Sequence, residues 1–99
     1  EEKIKADFSN AKFYEGANFE KVTFKGEAHF KKTKFKKTAY FNGTTFENMV
    51  DFREAEFNID KLDNGKTDFC NTTFKNYAQF RNAIFNKKVW FSNTKFEKE

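Results

Sequence analysis

The chain has 99 residues, is 37% hydrophobic and 34% charged, and carries a formal net charge of +4. Its length limits it to one domain, residues 1–99, although so polar a composition borders on that of disordered chains. The lone Cys70 excludes an internal disulfide, and with the lone His29 it excludes a zinc site built from Cys and His side chains. No apolar run is long enough to span a membrane or to form a signal peptide.

The sixteen phenylalanines organise the sequence, because they recur in alternating steps of five and six residues. Ala, Val or Thr stands two residues before every Phe, and no Ala or Val occurs anywhere else. Residues two apart share a face of an extended segment, so the pattern predicts short strands that point a small and an aromatic side chain into a common core. The predicted core residues are Phe8, Phe13, Phe19, Phe24, Phe30, Phe35, Phe41, Phe46, Phe52, Phe57, Phe69, Phe74, Phe80, Phe85, Phe91 and Phe96.

Two polar residues follow most of these Phe residues and predict a corner between strands. Where the second is Asn or Gly, it suits the left-handed backbone of tight turns. These residues are Asn10, Gly26, Gly43, Asn48, Asn71, Asn76, Asn82 and Asn93. An 11-residue period also fits a right-handed helical coiled coil. The alternating steps, however, place successive Phe on opposite sides of a helix, and Asn, Thr, Phe and Gly are poor helix formers, so the pattern favours strands.

Segments such as Ala6-Asp7-Phe8-Ser9-Asn10 and Ala55-Glu56-Phe57-Asn58-Ile59 resemble the pentapeptide-repeat family, whose unit is small-x-Leu/Phe-x-x. The resemblance covers the chain from Ala6 to about Glu97 and implies an all-β fold, a right-handed quadrilateral β-helix with four units per coil. Every second unit here carries an extra residue, which predicts about four coils of about 22 residues each, with alternating corner types. The extra residues are Gly16, Glu27, Thr38, Met49, Tyr77 and Lys88.

In chain order, coil one is predicted over residues 6–27 and coil two over residues 28–49. The third coil is interrupted after Phe57, because no Phe occurs between Phe57 and Phe69. In one interpretation, residues at about 58–66 form a corner loop, and Phe69 takes the third face, stacked between Phe41 and Phe91. In the other, Leu62 is itself a face centre and the register shifts after it.

No catalytic or cofactor-binding constellation is present. His29 precedes Phe30 and is expected to face solvent, no glycine-rich phosphate loop occurs, and the carboxylates are interleaved with lysines. The sequence therefore predicts a non-enzymatic structural scaffold or protein-interaction module, without cofactor or metal, that has an unknown protein partner. The lone cysteine and the missing signal segment favour the cytoplasm.

Two surfaces are candidates for contact. Ile84 and Trp90 point outward in the last coil, beside an end that no predicted helix caps, and they predict a homodimer formed through a solenoid end. A basic run, expected at one corner, is a candidate anion patch formed by Lys31, Lys32, Lys34, Lys36 and Lys37.

The alternative function is nucleic-acid-directed: weak DNA or RNA binding through the basic run, or modulation of a DNA topoisomerase, which the resemblance also implies. Glu15, Glu54 and Glu56 are expected to neutralise part of the run, and family members that mimic DNA need an acidic surface. The sequence therefore disfavours a nucleic-acid partner.

Overall fold

The computed structural model describes residues 3–98, so residues 1, 2 and 99 of the predicted domain lie outside the described residues. Within this range the chain forms short strands of two or three residues. They are β1 (Ala6–Asp7), β2 (Lys12–Phe13), β3 (Ala17–Asn18), β4 (Thr23–Phe24), β5 (Ala28–His29), β6 (Lys34–Phe35), β7 (Ala39–Tyr40), β8 (Thr45–Phe46), β9 (Val50–Asp51), β10 (Glu56–Phe57), β11 (Lys66–Asp68), β12 (Thr73–Phe74), β13 (Ala78–Gln79), β14 (Ile84–Phe85), β15 (Lys88–Trp90) and β16 (Lys95–Phe96). None of the described residues belongs to a helix that could cross a membrane.

The strands form four parallel sheets, because each strand pairs with the strand four places later. The sheets are β1-β5-β9-β13 on the first face, β2-β6-β10-β14 on the second, β3-β7-β11-β15 on the third and β4-β8-β12-β16 on the fourth. The register joins equivalent residues of successive coils, such as Ala6 with Ala28 and Phe13 with Phe35. The chain thus makes one circuit for every four strands, which confirms the predicted quadrilateral β-helix of about four coils.

The Phe rings fill the tube and stack along its axis. Neighbouring rings of one column have centroids 4.7–5.5 Å apart, and Phe30 lies 4.9 Å from Phe52. Rings on adjacent faces meet edge-on, as Phe41 and Phe52 do at 5.6 Å. Both geometries are favourable for aromatic pairs. The middle of the ladder, from Phe30 to Phe74, is fully buried.

Threonine can occupy the position two residues before Phe because its hydroxyl finds a hydrogen-bond acceptor inside the wall of the tube. Thr33, Thr44, Thr72 and Thr94 each donate a hydrogen bond from Oγ1 to the carbonyl oxygen of a Phe one coil earlier, at 2.6–2.7 Å. A buried hydroxyl without such a partner would be costly. These bonds therefore join successive coils in addition to the strand pairing.

The interruption in coil three is a corner loop, as the first interpretation predicted. Phe69 stacks on Phe41 at 5.0 Å and on Phe91 at 5.5 Å, so it occupies the third face. Leu62 is 94% exposed and cannot be a face centre, so the register-shift interpretation is wrong. The chain resumes its register at Lys66, which pairs with Lys88, its equivalent in coil four.

The corners alternate between two types, also as predicted. In the corners after the first and third faces, the second residue after Phe has a left-handed backbone. The Phe carbonyl oxygen accepts a hydrogen bond from the backbone N–H three residues later. Both features are those of a type II turn. The left-handed residues at these corners are Asn10, Lys21, Lys32, Gly43, Glu54, Asn71, Asn82 and Asn93.

The left-handed conformation expected of Gly26, Asn48 and Asn76 is wrong. These three residues occupy the six-residue corners after the fourth face, where the extra residue makes a tight turn unnecessary. The Asn48 side chain instead accepts a hydrogen bond from the next backbone N–H at 2.8 Å.

Candidate interaction surface

The outward residues of coil four, which is formed by β13 to β16, are more apolar than those of the coils before it. The structure places Ile84 on β14 and Trp90 on β15, and their side chains are 51% and 46% exposed. They lie on neighbouring faces of the tube, not on one face, because β14 belongs to the second sheet and β15 to the third. The two predicted interface residues are therefore separated by the corner that contains Lys87.

Trp90 ends an outward column of the third sheet. Tyr40 pairs in register with Asp68, and Asp68 pairs in turn with Trp90. The ammonium Nζ of Lys66 lies 4.4 Å from the centre of the Trp90 ring and 5.6 Å from that of Tyr40. Both distances are within the range of cation–π attraction, so Lys66 is held between two aromatic rings of different coils.

A groove of about 430 Å³ lies beside Trp90, between the corner loop and coil four. It is lined by Asn64, Gly65, Lys66, Lys87, Lys88 and Trp90. Three of these six residues are lysines, and none is acidic. Lys66 and Lys88 are register partners on β11 and β15, so two like charges stand side by side, an arrangement that costs stability.

The loop wall of the groove is fastened to the coils on both sides. Lys66 donates its backbone N–H to Thr38 Oγ1 of coil two at 3.2 Å. Lys87 of coil four donates from Nζ to the carbonyl oxygens of Asp60 and Lys61, at 3.3 and 3.4 Å. The loop is therefore fastened near both of its ends, to coil four at Asp60 and Lys61 and to coil two at Lys66.

Gly65 is needed at the base of the loop because the loop approaches coil two so closely. A Cβ atom at this position would collide with Thr38 Oγ1 and with Asp63 Oδ2. Asp63 Oδ2 also accepts a hydrogen bond from Asn58 Nδ2 at 3.1 Å. Asn58 is buried in a left-handed conformation, and its Oδ1 has no hydrogen-bond partner within the described range.

A comparison with known families bears on the repeat itself. Residues 5–34 match the family model described as pentapeptide repeats (9 copies). The strand register and the ring stacking of that segment continue without change to Phe96. The matched segment, residues 5–34, therefore consists of pentapeptide repeats, and coils of the same kind follow it. No curated protein and no solved structure matches the chain.

The basic run is spread over β6 and the corners on either side of it, so the expectation of a single corner is wrong. Lys34 forms an ion pair with Glu56 at 3.5 Å, and Lys37 forms one with Glu15 at 3.4 Å. Both glutamates belong to neighbouring coils. This pairing lowers the local positive charge and weakens the case for a nucleic-acid contact there.

On the first sheet, outward carboxylates accept hydrogen bonds from the backbone of the corner that follows. Asp51 accepts hydrogen bonds from the backbone N–H and Nε of Arg53, both at 2.9 Å, and from its Nη2 at 2.8 Å. Burial raises the pKa of Asp51, but the hydrogen bonds from Arg53 outweigh this effect and hold the pKa below its usual value. His29, expected to face solvent, is only partly exposed and lies 2.9 Å from Glu27 Oε1.

No group of three or more His, Cys, Asp or Glu side chains in residues 3–98 is arranged to hold a metal ion. The groove residues Lys66, Lys87 and Lys88 were not predicted as a site, although one signal for them exists. In the corner-loop interpretation, Lys66 and Lys88 occupy the same position in successive coils, and Trp90 lies two residues after Lys88.

Proposed function

We propose that this protein is a non-enzymatic scaffold that associates with a second copy of itself through coil four. The observation that carries this proposal is the concentration of large apolar side chains there. Of the exposed large hydrophobic residues in the described part of the chain, those between residues 77 and 96 form the largest group. They are Tyr77, Ile84, Trp90, Phe91 and Phe96.

Phe91 and Phe96 supply the physical reason. They continue the third and fourth columns of the ladder, yet they are 45% and 55% exposed, whereas Phe69 and Phe74 one coil earlier are buried. Strands β13 to β16 are also the edge strands of their sheets, so each presents one unpaired side. Exposed rings beside open strand edges favour association with another solenoid end.

Sedimentation of the wild type beside two double variants tests the proposal. Ile84→Asp with Trp90→Ala introduces a charge and removes the indole on coil four, and we expect it to be monomeric where the wild type dimerises. The matched control is Ile4→Asp with Tyr14→Ala, which makes the same kinds of change at exposed residues in and before coil one. The control should dimerise as the wild type does.

Circular dichroism should show the same strand signal in all three proteins, so that a loss of association is not a loss of fold. A wild type that remains monomeric at high concentration would overturn the proposal. So would a control variant that dissociates as readily as the coil-four variant.

A further inference from the structure

We propose that the groove between the corner loop and coil four binds a nucleoside phosphate, with the phosphates at Lys87 and Lys88 and the base against Trp90. This site is separate from the predicted basic run. It shares Trp90 with the proposed self-association surface, so a dimer that covers Trp90 would compete with the ligand. The argument rests on the charge of the groove, on its aromatic wall and on its size.

None of the ion pairs within the described residues includes Lys66, Lys87 or Lys88. The nearest carboxylates along the chain already have other partners, since Asp63 accepts from Asn58, and Asp68 accepts from the backbone N–H of Cys70 at 2.9 Å. Three ammonium groups around one groove suit a ligand with several negative charges, and lysine commonly binds phosphate as a point charge.

The aromatic wall suits a ligand that also carries a flat ring. Trp90 is about half exposed, and Lys66 fixes its indole by lying 4.4 Å from the ring centre. A positively charged groove next to an exposed aromatic side chain is the usual arrangement for binding a phosphate backbone together with a stacked base. The groove volume of about 430 Å³ falls within the range typical of small-ligand sites.

The loop gives the groove a defined shape. Lys87 donates hydrogen bonds from Nζ to the carbonyl oxygens of Asp60 and Lys61. Gly65 packs so closely against Thr38 and Asp63 that no side chain would fit there. The wall formed by Asn64 and Gly65 is therefore already in place before a ligand arrives. A preformed wall reduces the ordering cost of binding.

Fluorescence of Trp90 provides a direct test, because it is the only tryptophan in the chain. We expect ATP at low ionic strength to quench the emission with a saturable dependence, and tripolyphosphate, which lacks the base, to compete with ATP without quenching. Calorimetric titration of the same protein with ATP should give the same dissociation constant. An emission that ATP leaves unchanged, together with no measurable heat of binding, would overturn the proposal.

Two double variants of equal charge separate this site from general attraction between ATP and a basic protein. Lys87→Gln with Lys88→Gln should weaken ATP binding by about tenfold or more. Lys31→Gln with Lys32→Gln removes the same charge from coil two and should leave the dissociation constant unchanged. If both variants weaken binding equally, ATP is attracted to the whole surface and the groove is not its site.

A third variant distinguishes this proposal from the one on self-association. Ile84→Asp changes the second face of coil four and leaves all six groove residues intact. ATP should quench Trp90 in this variant at least as strongly as in the wild type, because a monomer leaves Trp90 uncovered. Loss of ATP binding in a folded Ile84→Asp variant would refute a site formed within one copy.

Discussion

Replacing Glu54 by glycine should stabilise the protein, which is the reverse of the usual effect of glycine in an ordered segment. Glu54 is the exposed second residue of a tight corner and has a φ of 60°. A side chain makes this left-handed conformation unfavourable, whereas glycine adopts it freely. The backbone N–H of residue 54 would still donate to the carbonyl oxygen of Arg81, which is 2.9 Å away in the wild type.

The expected gain is the difference between two opposing terms. The left-handed conformation costs a residue with a Cβ atom about 1–2 kcal/mol, and the additional chain entropy that glycine loses on folding costs about 0.5–1 kcal/mol. The difference between the midpoints of the two ranges gives a net stabilisation of about 0.75 kcal/mol. For a domain of this size, that corresponds to a rise in the unfolding temperature of about 3–6 °C.

Glu15→Gly is the matched control, because Glu15 is also an exposed glutamate and also the second residue after a Phe. It lies in a six-residue corner and has no positive φ. Glycine there should cost about 0.5–1 kcal/mol, and the exposed ion pair between Glu15 and Lys37 adds little to this loss. Thermal and urea unfolding of the two variants should therefore shift in opposite directions. Equal destabilisation would show that the left-handed corners carry no strain.

Three further predictions concern the ladder, the corners and the loop. Phe52→Ala should lower the free energy of unfolding by about 3–5 kcal/mol, and Phe96→Ala, which is 55% exposed, by about half as much; equal shifts in urea midpoint would contradict the burial argument. Because Arg53 holds the pKa of Asp51 below 3.8, Asp51→Asn should destabilise the protein at neutral pH. This difference should vanish as the pH falls below about 3.8, since a lowered pKa stabilises only above that range; a difference that persists at pH 2 would contradict it. Deleting residues 60–65 should restore a normal six-residue corner and leave unfolding cooperative, whereas a loss of strand signal in circular dichroism would show that the loop is needed for folding.

The Phe ladder could be predicted because the restriction on residue type is local and is repeated in every unit. Each Phe and the small residue two places before it share one face of a strand, so a single rule applies at every unit. The position of the corner loop was more difficult, because Leu62 is apolar and lies near the place of a missing Phe. Phe74 follows Phe69 after five residues, a step that occurs after the first and third faces and therefore favoured the third face for Phe69. The length of this step reflects corner geometry and not hydrophobicity.

The conformation of individual corners could not be predicted from residue type. Lys21 and Glu54 are left-handed although neither residue type favours it, whereas Asn48 and Asn76 do favour it and are not left-handed. The reason is that strand pairing on both sides determines where each corner begins and ends. A five-residue step leaves room only for a tight turn, so the backbone takes the left-handed conformation whatever side chain is present.

The same geometry explains why a basic run along the chain is a poor guide to the charge that a ligand meets. The lysines of the run are distributed over one strand and the two corners that flank it. Lys34 and Lys37 form ion pairs with glutamates of neighbouring coils, Glu56 and Glu15. Lys66 and Lys88 are far apart in sequence, yet they are lateral neighbours because they occupy the same position in successive coils. In a solenoid, charges also add along columns, so two lysines that are register partners can form a site that their separation in sequence conceals. The corner loop places this site beside Trp90, the one tryptophan able to report a ligand there.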